Sequence, residues 1–374
     1  MPVKVFINGR FLAQPVTGVQ RYAREVVKAL DALLCERVLD PAGTEVTLLA
    51  PRSGAGVLPL RRIRLRRAGR LTGHAWEQLE LPALSRGGVL LNLCNTAPLA
   101  GGAQVVTLHD AAVYRVPQAY TPAFRAWYRV LWAGLARLAP VICTVSEFSR
   151  RELAACLGIP AARIRLTTES GEHVLGTPPD AGVLDRLELR ARPFVLAVST
   201  ANPSKNFAAV VRAIELAPAA GFDFVVAGGV DPRVFARAAQ PLPATVKCAG
   251  YVNDGELRAL YEHAACFVHP SLYEGFGLPP LEAMRCGCPV LASDAASIPE
   301  VCGDAALYCD ARSPAEIARK LDALMRDPGM RRTLAERGRA HAARFSWRSA
   351  AVANWDAVLL AGGSRLIPAP AGGR

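Results

Sequence analysis

Two carboxylates, Glu274 and Glu282, stand with seven residues between them around a glycine-rich turn in the segment HPSLYEGFGLPPLEAMRCGCPVLAS. The preceding run CFVHPS reads as a strand, Gly275 and Gly277 make the turn, and Pro279 and Pro280 suit the first turn of a helix, where a missing N–H costs little. A helix start preceded by glycines presents unpaired backbone N–H groups and the positive end of the helix dipole, which together seat a phosphate or diphosphate. On that placement Glu282 faces the sugar of a bound nucleotide, and Glu274 faces the group beyond its phosphates. A bare Gly-x-Gly is no more than a tight turn. Here it sits at a strand end, ahead of a proline-started helix and between two acids, which favours the ligand-binding reading.

The elements that must position these residues follow from composition and periodicity. Of the 374 residues, 51% are hydrophobic and 20% charged, enough to bury large cores and too apolar for intrinsic disorder. The length suits two domains. Short apolar runs alternate with helical stretches almost from end to end, the pattern of parallel sheets covered on both faces. VKVFINGRF, EVTLLA, GVLLNL, QVVTLHD and PVICTVS read as strands of one doubly wound half; FVLAVST, FDFVVAGG, TVKCAGYV, CFVHPS, PVLASD and AALYCD read as strands of another. The fold class is therefore α/β, two Rossmann-like domains whose strand ends face a cleft. A Pro- and Gly-punctuated stretch marks the boundary. The expected division is an N-terminal domain over 1–177, a linker over 178–193, a second domain over 194–345, a final helix over 346–362 and a disordered tail over 363–374.

In open parallel sheets ligands bind at the carboxyl ends of the strands. His109 and Asp110 end the strand QVVTLHD there, and Ser146 and Glu147 end a later one, where they either cap the next helix or line an acceptor site. The ten cysteines lack any CxxC pair and lie in apolar contexts, so buried free thiols are expected and no metal site. The 44 Lys and Arg against 32 Asp and Glu give a net charge of +12, which suits an anionic partner. The densest basic run is Arg61 to Arg70, whose RIRLR alternation puts Ile63 and Leu65 on one strand face. In FRAWYRVLWAGLARLA, residues Phe124, Trp127, Tyr128, Leu131 and Leu135 form an apolar helical stripe beside Arg125 and Arg129. That helix reads equally as packed core or as an interfacial anchor. No apolar run reaches the roughly 18 residues of a membrane span, and MPVKVFINGR lacks a signal-peptide layout. A cytoplasmic protein, peripheral on the inner membrane face, is expected.

YEGFGLPPLEAM followed by GCPVLASDAASIPEVCGDAALY resembles the signature of the GT-B retaining glycosyltransferases of family GT4, also called glycosyl transferases group 1. GYVNDGELRALYEHA, STANPSKNFAAVVRAI, VTLHDAAV and CTVSEFSRRELA extend the resemblance to nearly the whole chain, nearest to bacterial mannosyltransferase-like enzymes. The resemblance implies two facing Rossmann-like domains with the C-terminal helix returning to the first. It implies that Glu282 binds donor ribose hydroxyls, that Glu274 contacts the donor sugar, and that Gly275, Phe276, Gly277 and Leu278 lie along the sugar and diphosphate. Lys205 corresponds to the diphosphate-binding lysine, His109 to a histidine approaching the sugar, Thr17 and Gly18 to a loop closing over the diphosphate, and Tyr251 and Val252 to base-contacting positions. No cofactor or metal is then needed, because an ammonium and a helix N-terminus offset the leaving group's charge. Two departures stand out. Thr200 and Ser204 occupy positions where relatives carry an arginine, and ESGEHV, Glu169 to Val174, replaces an Asn-Gly-Val-like sequence.

The function implied is retaining transfer of a hexose, mannose from GDP-mannose being favoured, to a lipid-diphosphate-linked or polysaccharide acceptor in exopolysaccharide or O-antigen synthesis. An anionic membrane surface is an expected partner; nucleic acid is not, since no binding motif accompanies the charge. Two rival readings are a non-catalytic nucleotide- or glycan-binding relative and a dinucleotide-dependent oxidoreductase. The latter requires G-x-G-x-x-G after the first strand, which NGRFLAQPVTGVQRY lacks.

Overall fold

A computed structural model describes residues 4–39, 44–54, 56–198, 202–216, 221–228 and 246–363. The chain divides into two compact units, one of Met1–Tyr114, Pro122–Glu169 and Trp347–Arg374, the other of Arg115–Thr121 and Ser170–Ser346.

The first unit is built on seven strands: β1 (Lys4–Asn8), β2 (Glu45–Ala50), β3 (Arg64–Arg67), β4 (Val89–Asn92), β5 (Gln104–Thr107), β6 (Val141–Thr144) and β7 (Ile164–Leu166). They pair in parallel in the order β3-β2-β1-β4-β5-β6-β7. Every residue of β4, β5 and β6 is buried, as a sheet covered on both faces demands. The strand order reverses between β1 and β4, which register Val5 against Val89 and Ile7 against Leu91. Ligands of doubly wound sheets collect at such a reversal. On β3, Arg64 and Arg66 are exposed and Leu65 is half-buried, with Ile63 buried just before the strand, in keeping with the alternation.

The last helix, Trp347–Ala361, returns to this sheet and packs on the Gly18–Cys35 helix and on β4, β5 and β6. Small residues on one face, Ala350, Ala351 and Ala357, allow the close approach. The fully buried Asn354 fixes its register, donating to Tyr22 Oη at 2.8 Å, while Tyr22 donates to Thr167 Oγ1 at 2.9 Å.

The second unit contains β8 (Phe194–Val198), β9 (Asp223–Ala227), β10 (Val246–Gly250), β11 (Cys266–His269), β12 (Val290–Ser293) and β13 (Leu307–Cys309). All pair in parallel, in the order β10-β9-β8-β11-β12-β13. Val195, Val210, Phe224, Leu291, Ile317, Leu321 and Leu324 are among the residues of one core here. The order reverses between β8 and β11, so the loops following those two strands become neighbours.

Several details differ from expectation. The units divide at Glu169 and Ser170 rather than after residue 177, because Glu172–Gly176 packs against the Leu278–Arg285 and Asp254–His263 helices. Gly171 approaches Leu281 so closely that a Cβ would come within 2.5 Å of its carbonyl carbon. The stretch 178–193 is not an open linker but holds a helix, Gly182–Arg186, packed on Asp254–His263. Six cysteines are buried, yet Cys35 and Cys248 are exposed. In the Pro122–Leu138 helix, Leu131, Trp132, Leu135 and Ala136 are buried, whereas Phe124, Trp127 and Val130 are exposed. Thr200 and the tail beyond Gly363 lie outside the described residues.

Candidate functional site

In the second unit the loop after β8 is shaped by its own side chains. Asn202 Oδ1 accepts from the Ser204 N–H at 3.0 Å, Pro203–Lys205 forms a 3₁₀ turn, and Asn206 takes a left-handed conformation with φ of 54°. Asn206 Nδ2 then donates to Pro270 O at 3.2 Å, and the Leu272 N–H donates to Ser204 O at 2.8 Å, fastening this loop to the one after β11. That fastening brings Lys205 Nζ to Glu274 Oε1 at 2.6 Å. His269 Nε2 also lies 3.1 Å from Glu274 Oε1, close enough for attraction but without hydrogen-bond alignment. Burial alone would raise the Glu274 carboxyl, but the Lys205 charge and the nearby His269 hold it far below the usual carboxylate range. Burial lowers the His269 ring below the ordinary histidine value, against the opposing pull of Glu274. The structure thus assembles a half-buried carboxylate with one ammonium beside the glycine turn.

The turn itself is tightly held. Ser297 Oγ lies 2.7 Å from Phe276 O and 3.0 Å from Glu274 O, sharing one proton between them. Phe276 packs edge-on against Phe345. Gly277 has a φ of 121°, and a Cβ there would meet Ile298 Cδ1 at 2.8 Å, so only glycine fits on both counts. Gly275, Phe276, Gly277 and Leu278 are buried, and the side chains of Phe276 and Leu278 serve packing. Their chemistry toward a ligand rests with the backbone. Leu278 opens the Leu278–Arg285 helix, which carries Glu282. Glu282 Oε2 accepts from Tyr261 Oη at 3.0 Å, and Oε1 lies 3.0 Å from His173 Nε2. The two glutamates therefore answer to different partners. Past β10, Tyr251 is 80% exposed and Val252 half-buried, leaving an aromatic face open to solvent.

In the first unit His109 follows β5 and is buried. Its Nδ1 lies 3.0 Å from Glu169 Oε1 and its Nε2 3.0 Å from Leu93 O. Both nitrogens face acceptors, so the ring is an imidazolium. Burial would lower its pKa, but the Glu169 hydrogen bond and charge raise it above the ordinary histidine value. Both nitrogens are thereby engaged within this unit. A group raised on folding contributes stability that is complete below the unfolded pKa and disappears as pH rises through the folded one. Urea unfolding of wild type and His109→Gln between pH 6 and 9 should therefore show the wild-type advantage shrinking with rising pH. A constant or growing difference would contradict the imidazolium assignment.

Thr17 caps the Gly18–Cys35 helix, with its backbone N–H donating to Gln20 Oε1 at 3.2 Å. Thr17 and Gly18 are exposed, and a Cβ at Gly18 would meet nothing within 4 Å. Gly18→Ala should thus leave stability unchanged or raise it by roughly 0.5–1 kcal/mol, read by thermal unfolding; a clear fall in Tm would show that the fold requires this glycine. Ser146 resolves to a cap, its Oγ accepting from the Ser149 N–H at 3.0 Å.

Sequence reasoning missed Glu169, His173, Tyr261 and His269 as partners of the singled-out residues. The first two lie in ESGEHV, whose departure from the family pattern was the available signal. It also missed a buried polar centre at the β1/β4 reversal. Glu77, fully buried on a π-helical turn, has its Oε1 bound by Asn8 Nδ2 at 2.8 Å, Thr96 Oγ1 at 2.8 Å and Arg10 Nε at 3.2 Å, with His74 Nδ1 3.3 Å from Oε2. Among the described residues, no group of three or more His, Cys, Asp or Glu is placed to hold a metal ion, and no helix is long and apolar enough to cross a membrane.

Residues 186–341 match the family described as glycosyl transferases group 1. The O-antigen chain mannosyltransferase B of Escherichia coli is 34% identical over 258 residues, 66% of this chain and 67% of that protein. The serotype-specific mannosyltransferase WbdA of Escherichia coli is 30% identical over 243 residues, 62% of this chain; the match spans only 30% of WbdA. The crystal structure of Anabaena Alr3699/HepE in complex with UDP-glucose aligns with a TM-score of 0.71 at 16% identity, over 96% of this chain and 97% of that one, a likeness of fold. The matched region lies inside the glutamate-bearing unit and includes both Glu274 and Glu282, and the two parallel sheets supply the GT-B architecture. The chain belongs to the glycosyl transferases of group 1 and is a glycosyltransferase of the bacterial mannosyltransferase-like kind.

Proposed function

We propose that the protein transfers mannose from GDP-mannose, with retention of anomeric configuration, to a hydroxyl of a lipid-diphosphate-linked or polysaccharide acceptor in O-antigen or exopolysaccharide synthesis. The observation that carries the donor site is the ion pair between Lys205 and Glu274 beside the glycine turn, at 2.6 Å. A nucleoside diphosphate leaving group develops negative charge as the sugar departs, and a preplaced ammonium lowers the cost of that charge without a metal. The Lys205 ammonium turns from Glu274 to the diphosphate, while Glu274 accepts hydrogen bonds from the sugar's hydroxyls. The bond from C1 to the diphosphate oxygen breaks, and the acceptor oxygen bonds to C1 on the same face. The acceptor proton passes to the departing phosphate oxygen. Glu282 holds the ribose, and the exposed ring of Tyr251, beside Val252, stacks on the base.

Mannose is chosen because both bacterial relatives are named mannosyltransferases; a nucleotide sugar is supported by the UDP-glucose held by the structural neighbour. The test is transfer from GDP-mannose, UDP-glucose and UDP-galactose in EDTA to a lipid-diphosphate glycan, with the new linkage read by NMR. An α-mannosyl product supports the reading. No transfer from any nucleotide sugar, or a β-linked product, would contradict it.

The exposed Phe124, Trp127 and Val130 beside Arg125 and Arg129, with the arginines of residues 61–70, support docking on an anionic membrane surface. Co-sedimentation with anionic vesicles should occur at low salt and weaken as screening shortens the reach of the arginines; no sedimentation at moderate salt would remove the membrane partner.

A further inference from the structure

The residues that grip Glu282 come from outside its own helix. Tyr261 Oη donates to Oε2 from the Asp254–His263 helix, and His173 approaches Oε1 from the Glu172–Gly176 turn. The side chains of His173 and Glu282 are 7% and 9% exposed. His173 Nδ1 lies 3.3 Å from Ser170 O, so each ring nitrogen faces an oxygen that only accepts and the ring is held between two anchors.

The turn carrying His173 is itself stapled down. Gly171 packs against the Leu281 backbone, immediately before Glu282. Ser170 Oγ and Arg285 Nη2 both donate to Phe345 O at 3.0 Å, and Arg285 also reaches Glu172 Oε2 at 3.5 Å. Arg285 belongs to the helix that carries Glu282, so imidazole and carboxylate are fixed to one framework.

A glutamate has three side-chain torsions, and an unrestrained one must be ordered each time it accepts hydrogen bonds from a ligand. With a donor on each oxygen, the Glu282 carboxylate is already oriented. A carboxylate accepts about four hydrogen bonds, so it can serve these donors and a pair of vicinal hydroxyls together. Preorganisation of this kind appears as affinity and selectivity for the group it meets.

Building on the donor-site reading above, we infer that His173 is a positioning residue that sets the preference for a ribonucleotide over a deoxyribonucleotide. It acts through Glu282 and not on the reacting sugar, which lies with Lys205 and Glu274. Loss of His173 therefore raises donor KM while kcat at saturating donor changes little.

The test is calorimetric binding of GDP and UDP, and of their 2′-deoxy counterparts, to the full chain and to His173→Ala, His173→Gln and Tyr261→Phe. Wild type should prefer the ribonucleotide by about tenfold, roughly the value of one hydrogen bond to a charged acceptor. His173→Ala should reduce the preference to about twofold, mainly by weakening the ribonucleotide. His173→Gln, which keeps a donor toward Glu282, should recover part of it. Tyr261→Phe removes the other donor, and should lower the preference in the same direction even if His173→Ala folds poorly. A wild type that binds and discriminates, beside a folded His173→Ala with the same ratio, overturns the inference and leaves the donor site standing. Equal loss of both nucleotides in every variant also overturns it, since that is a merely structural effect. A wild type that binds neither diphosphate overturns the donor site and this inference together.

Discussion

Lys205→Met should lower the transfer rate at saturating donor by roughly 10²–10³-fold, the scale seen when one preplaced charge-stabilising donor is removed. Lys205 is the one cationic residue of the NPSKNF loop, so on the proposed reading no neighbour in that loop shares the leaving-group charge. The substitution also strips Glu274 of its cation. Burial, the opposing influence on this carboxyl, then pushes its pKa up from its present depressed position. A protonated Glu274 accepts poorly from sugar hydroxyls, so both halves of the site suffer. Lys205→Arg should recover part of the rate because the charge is kept, though the ammonium and guanidinium differ in shape. Steady-state kinetics at saturating donor, with Tm as the folding control, is the check. A folded Lys205→Met protein within threefold of wild type would contradict the assignment.

The largest stability effect should fall far from that turn. Glu77→Ala should cost about 3–5 kcal/mol, because it leaves the Arg10 guanidinium buried without its counter-charge. Arg10 Nη2 also donates to Thr96 Oγ1 at 2.8 Å, and Asn8 Nδ2 reaches Asn92 Oδ1 at 3.0 Å, so one carboxylate organises the ends of both strands at the β1/β4 reversal. Burial works to raise the Glu77 carboxyl, but the hydrogen bonds from His74, Asn8 and Thr96 and the Arg10 charge keep it below the usual range. The double variant Arg10→Met/Glu77→Leu should regain much of the loss, since a buried ion pair and an apolar pair of similar volume are often near-neutral. Urea unfolding measures both. A single-variant cost under about 1 kcal/mol would show that Arg10 finds water or another anion once Glu77 is gone.

Much of the fold is legible in the sequence for a physical reason. Strands buried on both faces are apolar at most positions, so the apolar stretches of EVTLLA, QVVTLHD and PVICTVS stand out as runs. Edge strand β7 does not, because its three residues, Ile164, Arg165 and Leu166, give no period to detect. The Pro122–Leu138 helix shows the limit of a periodic stripe: Leu131 and Leu135 are buried while Phe124 and Trp127 on the same stripe are exposed. Periodicity assigns a face but does not tell where along the helix the core ends. In the site, Glu274 and Lys205 are brought together as the glycine turn and the NPSKNF loop suggest, because the reversal between β8 and β11 makes their loops adjacent. The partners of His109 and Glu282 were not legible. Glu169 and His173 act through contacts 60 and 109 positions away in the chain, from 169 − 109 and 282 − 173, and no local pattern encodes such distances.

The central claim is that the second unit binds a nucleoside diphosphate through Lys205 and Glu282. Calorimetry of GDP and UDP in EDTA with wild type, Lys205→Met and Glu282→Ala tests it most directly. Metal-free binding of at least one diphosphate by wild type, weakened tenfold or more in each variant, is the predicted result. Absence of binding to either diphosphate, or equal binding by all three proteins, would contradict it.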